Sequence, residues 1–497
     1  MSQTSIPMNH SSSYLFTRKR FHCALILALA IFFSSAYGQK TPTRDTAEKN
    51  YRDGLTLLQK QQVDPAITLF REAIRLYPTF AEAHASLGFA LGTKGQLREA
   101  IATFETAVKI KPDFAEAHYY LGTARWFSND ITGAITALRT AAKFLPENSN
   151  AHYYLGLALD KSGDVPGALQ ELRAAVKLAP EMVEPRHAMG QVLQKDDDLD
   201  GAVEAFRAVI KLKPDFVQAY NDLGLALVQK RDPEGAVAAF NSALELDANN
   251  LTAHHNLGMA LIQKSDYAAA IAQYRKLLAL APNDAEAHYN LALALKGKDS
   301  FDEAVSELRK AIALQPALPE AHYTLGVILL QQSKLKEAAD AFKAATVAKP
   351  DYPEAHYSLG TTRQQQGDID GAIAAFREAL KYTPNAPEIH NTLGTAFRQK
   401  GDTEAARAEF QEAARLNKLK SNMQAAVFAT NTGFALLKEG KIDAAIERLE
   451  AAVKSDPMNS QAHYNLAKAF QQKGQRDAAK AAYNKAKQLD SRLKPLP

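Results

Sequence analysis

A 34-residue period runs through this sequence and limits its possible folds more than any other feature. Units begin at residues 47, 81, 115, 149, 183, 217, 251, 285, 319, 353 and 387, and after five extra residues at 426 and 460. In the unit from Leu251 to Asp284, apolar or small residues recur at three- and four-residue steps through two segments, separated by a polar turn. This spacing predicts two short antiparallel amphipathic helices per unit. One such pair cannot bury its apolar face alone, so the units must stack into an array.

Small residues at fixed positions of the unit explain how the two helices approach each other. Position 8 is glycine in eleven units and alanine in two, and position 20 is alanine in all thirteen. Glycine inside a helix costs about 1 kcal/mol relative to alanine, so its recurrence predicts close contact with the large apolar residue at position 24, such as Phe70 or Phe104. Proline at position 32 of ten units ends the second helix because it lacks an N–H group and its ring clashes with the preceding turn.

This pattern of glycine 8, alanine 20, usually alanine 27 and proline 32 resembles the tetratricopeptide repeat. The resemblance implies an all-α fold, an α-solenoid of about 13 helix-turn-helix units that form a right-handed superhelix, with the first helix of each unit on the concave side. It also implies a binding scaffold rather than an enzyme. Position 4, often tryptophan in the family, is here usually histidine. The predicted organisation is a signal peptide (1–38), a short linker (39–46), units 1–11 (47–420), a phase-breaking insertion (421–425), units 12–13 with a polar end helix (426–493) and a tail (494–497).

The first 38 residues have the order of an export signal. Arg18, Lys19 and Arg20 precede an apolar run that gives way to small residues, and Gly38 would precede the cleavage point. The uninterrupted apolar part, 24–33, is about half the length of a membrane-spanning helix, which favours a cleaved signal over an anchor. No later stretch of 18 residues is apolar, so we expect no stable membrane insertion after cleavage. The protein is therefore expected in the bacterial periplasm or secreted, although the bacterial host follows only from the family resemblance.

Charge and motif content exclude several classes of function. Three of the 59 basic residues lie in the signal, so the remainder is nearly balanced by its 55 acidic residues and lacks the basic excess that nucleic-acid binding needs. The only cysteine, Cys23, lies in the signal, which leaves the mature chain without a thiolate nucleophile or metal ligand. No phosphate-binding glycine loop, G-x-S-x-G elbow or H-E-x-x-H pair occurs. We therefore predict no catalytic residues, no cofactor and no metal.

Three patterns imitate known sites. Histidine occupies position 4 of nine units, but equivalent positions in adjacent units are at least a helix packing distance apart, which favours semi-buried, hydrogen-bonded histidines over metal ligands. Asp196, Asp198 and Asp200 resemble the start of a calcium loop, yet its twelfth position is Arg207 instead of glutamate. Asn250 begins an N-x-T sequence, a glycosylation acceptor only in a secreted eukaryotic protein.

The surface left for a partner follows from the first helix of each unit. Positions 2, 5, 6, 9, 12 and 13 form the stripe that packing does not use, and in units 2–4 this stripe is unusually aromatic. Tyrosine at position 5 recurs in later units, where it could simply cover its own helix pair, but position 12–13 aromatics are unusual in this chain. Asparagines at position 6 grip the substrate backbone in similar arrays of some glycosyltransferases. The predicted partner-binding residues are Phe89, Tyr119, Tyr120, Trp126, Phe127, Tyr153, Tyr154, Asn256 and Asn290.

The five surplus residues near 417–425 interrupt the repeat. If they lengthened a helix, its apolar face would be misdirected, so part of the insertion is expected to form a loop and a weak joint that opens and is cleaved first. The function predicted overall is a non-catalytic exported scaffold that binds a polypeptide and assists envelope assembly. The alternative is the substrate-recruiting subunit of a separately encoded envelope enzyme, such as a peptidase or glycosyltransferase. The sequence does not identify the partner or the oligomeric state.

Overall fold

The computed structural model describes residues 42–496, so the predicted signal peptide lies outside it. The described chain divides into an N-terminal body that ends at Lys264 and a C-terminal body that begins at Ser265. The N-terminal body contains α1 (Pro42–Gln59), α2 (Val63–Leu76), α3 (Ala81–Thr93), α4 (Leu97–Ile110), α5 (Ala115–Phe127), α6 (Ile131–Phe144), α7 (Ser149–Ser162), α8 (Val165–Leu178), α9 (Val183–Lys195), α10 (Leu199–Leu212), α11 (Val217–Gln229), α12 (Pro233–Leu246) and α13 (Leu251–Gln263).

The C-terminal body is helical throughout its described regular structure. It contains α14 (Tyr267–Leu280), α15 (Ala285–Gly297), α16 (Phe301–Leu314), α17 (Pro319–Gln331), α18 (Leu335–Ala348), α19 (Pro353–Gln365), α20 (Ile369–Tyr382), α21 (Pro387–Lys400), α22 (Thr403–Lys438), α23 (Ile442–Ser455), α24 (Ser460–Gln472) and α25 (Arg476–Leu489). Each body is a helical repeat solenoid, which confirms the predicted all-α architecture. The first helix, α1, begins at Pro42, inside the stretch predicted as a linker.

The turn between the two helices of a unit has one fixed conformation. Position 15 has a positive φ in every unit, whether it is glycine, as at Gly163 (φ 89°), or not, as at Arg231 (φ 61°). The next residue is often aspartate, and its side chain caps the second helix: Asp164 Oδ1 accepts from the N–H of Gly167 at 3.0 Å. The cap satisfies a backbone donor that the helix leaves unpaired.

Glycine at position 8 lets the helices of a unit touch, as the sequence predicts. A Cβ atom added to Gly88 would lie 2.8 Å from Cε1 of Phe104, whose ring is 2% exposed. The same arrangement recurs at Gly224 with Phe240 and at Gly360 with Phe376. In most units the position 24 side chain is therefore fitted over the position 8 glycine of the same unit, and these side chains form a row in the core.

The predicted loop at the insertion is wrong. Residues 403–438 form one 36-residue helix, α22, which serves both as the second helix of unit 11 and as the first helix of unit 12. Nothing between 417 and 425 stops a helix, because the segment NKLKSNMQA contains neither proline nor glycine and Lys418 stands where most units have proline. Preferential cleavage and faster hydrogen exchange beyond this point stay predictions.

The cores on the two sides of the insertion are separate. One cluster is centred on Phe376 and Leu393, and the other on Leu449 and Leu466. In the second cluster the tail also takes part, since Leu496 packs against it. The last helix, α25, keeps charged residues such as Lys480 exposed, in agreement with its expected polar surface.

Candidate functional site

The first helices of consecutive units form a continuous face in the N-terminal body, here called the first-helix face. Side chains on it interlock by a simple rule: position 5 of one unit meets position 6 of the next, 35 residues later, and position 12 meets position 13. His187 Nε2 lies 2.7 Å from Asp222 Oδ2, and Gln194 Nε2 donates to Gln229 Oε1 at 3.0 Å. In the C-terminal body the Tyr357 hydroxyl meets Thr392 Oγ1 at 3.3 Å by the same rule.

Six of the predicted aromatic residues meet on this face. We call Phe89, Tyr119, Tyr120, Phe127, Tyr153 and Tyr154 the aromatic patch. Ring centroids lie 5.4 Å apart for Phe89 and Tyr120, 5.1 Å for Tyr119 and Tyr120, and 6.4 Å for Tyr119 and Tyr154. Phe127 and Tyr153 complete the patch at 6.0 and 5.1 Å from Tyr154. The patch thus spans α3, α5 and α7, with ring separations at which aromatic pairs attract each other.

The alternative role for position 5 tyrosines, covering their own helix pair, applies to other units. Tyr357 lies 5.7 Å from Phe376 and Tyr323 lies 5.6 Å from Phe342, in each case the position 24 ring of the same unit. In units 3 and 4 position 24 is leucine, and Tyr119 instead contacts tyrosine rings. Tyr120, at position 6, contacts Tyr119 and also stacks at 5.8 Å on Phe104, the core ring of the preceding unit.

The patch is only partly covered. Phe127 is 37% exposed, and the other five rings are half-buried. Burial raises the pKa of Tyr119, Tyr120 and Tyr154; Glu116 adds to the pKa shift of Tyr120, and Glu184 to that of Tyr154. The three hydroxyls therefore stay protonated at physiological pH and can donate hydrogen bonds to a carbonyl oxygen.

Trp126 lies beside the patch rather than within it. It is half-buried on α5, and Lys161 Nζ of α7 lies 5.9 Å from its ring centroid. This is the position 12 to position 13 contact, made here as a cation–π pair. The ring keeps an exposed portion beside a positive charge.

The two predicted asparagines have different surroundings. Asn256 is half-buried in the N-terminal body, whereas Asn290 is 4% exposed in the C-terminal body, which leaves almost none of its side chain for a partner.

A polar stretch that sequence reasoning missed precedes Asn256 on the first-helix face. There Gln191 Nε2 also donates to Asp222 at 3.0 Å, and Asn221 Oδ1 is buried without a hydrogen-bond partner among residues 42–496. In the sequence, the signal for these contacts is the spacing of 35 residues between the paired polar side chains, as for His187 and Asp222.

The position 4 histidines have a structural role, as expected. All nine place Nε2 against the backbone carbonyl six residues earlier, for example His84 against Pro78 at 2.9 Å. Because a carbonyl only accepts, Nε2 carries a proton in each of these histidines. In three units Nδ1 also lies 2.6 Å from a glutamate at position 23, as for His288 and Glu307. These pairs, His152–Glu171, His288–Glu307 and His390–Glu409, were missed because they depend on a spacing of 19 residues between helices.

The calcium-like and glycosylation-like motifs have local roles. Asp198 caps α10 through the N–H of Gly201 at 3.0 Å, and Asp200 pairs with Lys230. Asn250 caps α13 through the N–H of Ala253 at 2.9 Å. Within residues 42–496 no cluster of three or more histidine, cysteine, aspartate or glutamate side chains is arranged to hold a metal ion. No helix in the same range is long and apolar enough to cross a membrane.

Models of known repeat families match most of the described chain. One tetratricopeptide repeat model matches residues 121–183, 187–250, 294–353 and 357–419. A second TPR repeat model matches 91–126, 258–299 and 433–474, and a third tetratricopeptide repeat model matches 460–492. The chain belongs to the tetratricopeptide repeat family. Members of this family are generally scaffolds for protein–protein interaction, and the matches support an interaction-scaffold role for this chain.

Several solved structures are similar to parts of this chain. YrrB, described as a TPR protein with an unusual peptide-binding site, shares 25% identity over 37% of this chain and 96% of its own, with a TM-score of 0.35. MamA shares 28% identity over 33% of this chain and 95% of its own, with a TM-score of 0.32. PilF of Pseudomonas aeruginosa shares 17% identity over 43% of this chain and 97% of its own, with a TM-score of 0.38. No curated protein matches the chain.

Proposed function

We propose that this protein is an exported scaffold that binds an extended polypeptide along the first-helix face of its N-terminal body and assists assembly in the bacterial envelope. The observation that carries the proposal is the aromatic patch, six rings in contact across three consecutive units, of which Phe127 is 37% exposed. Rings of this kind anchor apolar side chains, and tyrosine hydroxyls hydrogen-bond a peptide backbone. Export rests on residues 1–38 alone.

The polar stretch on the same face supports an elongated ligand. Beyond the patch, α9 and α11 carry His187, Gln191 and Asp222, joined by hydrogen bonds. Gln191 and Asp222 are half-buried, so their amide and carboxylate groups can hydrogen-bond a peptide backbone. We therefore propose that an apolar or aromatic anchor binds the patch while the following backbone passes α9 and α11.

Selection from a displayed peptide library on the chain that begins at Gln39 tests this function. Selected peptides should carry apolar or aromatic residues, and the double variant Tyr119→Ala/Tyr154→Ala should weaken their binding at least tenfold. A matched control, Tyr323→Ala/Tyr357→Ala, changes two position 5 tyrosines of the C-terminal body and should leave Kd unchanged. Equal losses in the two double variants would contradict the assignment of the site. Assay of a natural partner for enzymatic activity would then separate an assembly role from recruitment to an envelope enzyme.

A further inference from the structure

The long helix α22 exposes a surface that every regular junction of this chain covers. Phe428 stands at position 3 of unit 12 and is 74% exposed, whereas Ala117, Ala253 and Ala355 at the same position of other units are 0% exposed. Ala435, at position 10, is also exposed, although position 10 is buried in units 2–11 and 13. In a regular array these two positions pack on the second helix of the preceding unit, as Ala117 does on Ala107. In α22 that covering helix is absent, because the preceding helix runs straight on into this one.

The other half of the broken junction lies on the N-terminal part of the same helix. Phe410 fills position 24 of unit 11 but is half-buried, while its equivalents Phe342 and Phe376 are 0% exposed. Ala414, at position 28, is exposed. A mostly apolar groove lined by Ala406, Phe410 and Ala414 follows this surface. It is the surface on which the first helix of the next unit would normally lie.

The exposed residues differ from those at the beginning of the array. Position 3 of unit 1 is Lys49 and position 10 is Thr56, both polar and exposed, as suits a face that no unit precedes. Unit 12 places phenylalanine and alanine at these positions. Large exposed apolar surfaces of this kind mark interaction sites in soluble proteins. The unit 12 face is therefore composed for contact rather than for solvent.

The two surfaces complement each other but cannot meet within one chain. Most junctions place a large side chain at position 28 opposite alanine at position 3, as with Val108 and Ala117; here the sizes are reversed, with Ala414 and Phe428. At 3.6 residues per turn, residues 14 apart differ by about 40° around the helix, so Ala414 and Phe428 lie on the same side of α22. A single straight helix keeps them apart along its axis, at a rise of about 1.5 Å per residue.

We propose that a second copy of this chain covers this surface, and that two α22 helices pair side by side and antiparallel. The second helix of one unit and the first helix of the next are antiparallel in a regular junction, so an antiparallel second α22 places Phe428 of each protomer in the groove beside Ala414 of the other. The two-fold pairing restores the missing junction twice. Exchange of an identical contact between protomers is a low-cost route to a symmetric dimer.

Sedimentation equilibrium on the chain that begins at Gln39 tests the dimer. The wild-type chain should have twice the protomer mass, and Phe428→Glu and Ala414→Lys should each be monomeric. Mixed in equal amounts, these two variants should form a heterodimer, because one junction then pairs the introduced carboxylate with the introduced ammonium group and the other keeps the natural Phe428 and Ala414. Val347→Glu changes a side chain of matched exposure, 73%, on another helix and should leave the dimer intact.

The outcomes separate the proposal from its alternatives. A wild-type chain that is monomeric over a wide concentration range overturns it and leaves the surface to a different partner. A dimer that persists in both single variants also overturns it, since the contact then lies elsewhere. Circular dichroism of each variant should show unchanged helicity, and if one variant unfolds, the oligomeric state of the other still decides the proposal. Failure of two folded, monomeric variants to form a heterodimer also overturns it.

Discussion

Replacement of Gly88 by alanine tests why glycine recurs in these helices. The new Cβ atom would lie 2.8, 2.9 and 3.0 Å from three atoms of the Phe104 ring, which is 2% exposed and cannot swing aside. Overpacking of this kind costs about 1–3 kcal/mol, while alanine gains up to about 1 kcal/mol in helix propensity. With the middle of the first range, about 2 kcal/mol, and a gain of up to about 1 kcal/mol, the net expectation is a loss of about 1–2 kcal/mol.

The same helix contains a matched control. An added Cβ at Gly92 would approach nothing closer than the Ala100 side chain at 4.0 Å, so Gly92→Ala should gain stability from helix propensity alone. Hydrogen exchange of the α3 and α4 amides measures local opening in each variant. The exchange rate should rise about tenfold for each 1.4 kcal/mol lost, hence increase in Gly88→Ala and fall or stay constant in Gly92→Ala.

A second substitution identifies the cause. In unit 8 alanine stands at position 8 and leucine at position 24, and both Ala292 and Leu308 are 0% exposed. Adding Phe104→Leu to Gly88→Ala reproduces that pair and should recover much of the lost protection. The reasoning is refuted if Gly88→Ala exchanges as slowly as the wild-type chain, or if Gly92→Ala loses as much.

Two further predictions concern binding and pH. Trp126→Ala should weaken binding of a library-selected peptide by about 2 kcal/mol, or roughly thirtyfold, and should cost less stability than the loss of about 3–5 kcal/mol expected for a core tryptophan. The control Phe144→Ala removes a side chain that is 44% exposed on a second helix and should change neither the Kd nor the stability. A large fall in Tm with unchanged Kd in Trp126→Ala would assign Trp126 to the core. Burial alone would raise the pKa of Glu307, but hydrogen bonds from Lys310 and His288 outweigh burial and lower that pKa. The ionised Glu307 therefore stabilises the fold at pH values above the ordinary glutamate pKa, and this stabilisation is lost as the pH falls below that value. Glu307→Gln should therefore reduce the dependence of unfolding free energy on acid pH, and an unchanged acid denaturation profile would contradict this.

The repeated architecture could be predicted because each unit contains the residues that define its own helix–helix contact. Glycine 8, alanine 20 and the large residue at 24 define one contact within 17 residues of chain, and the structure forms it, as at Gly224 and Phe240. The loop prediction failed because it weighed the apolar face and ignored the absence of helix breakers at 417–425. The expected consequence of a longer helix, an apolar face turned away from the core, is present, since Phe428 is exposed. The helix forms in spite of that exposure.

The candidate site was predictable in membership more than in geometry. Composition of the first-helix stripe indicated the aromatic residues, yet only the structure separates Trp126, paired with Lys161, from the six rings in contact. Pairs between different helices, such as His187 with Asp222, depend on how adjacent units are offset. The 35-residue offset is set by packing and is readable in sequence only once one such pair is known.

Photo-crosslinking in the host cell tests the central claim most directly. A photoreactive amino acid at Phe127 places the probe at the open edge of the aromatic patch, and the same probe at Phe144, of similar exposure (37% and 44%), is the control. The account predicts that the probe at Phe127 crosslinks to a polypeptide, in the envelope fraction and at a segment with apolar or aromatic residues, while the probe at Phe144 does not. Equal crosslinking from both positions, or none from Phe127, would contradict binding of a polypeptide at this face.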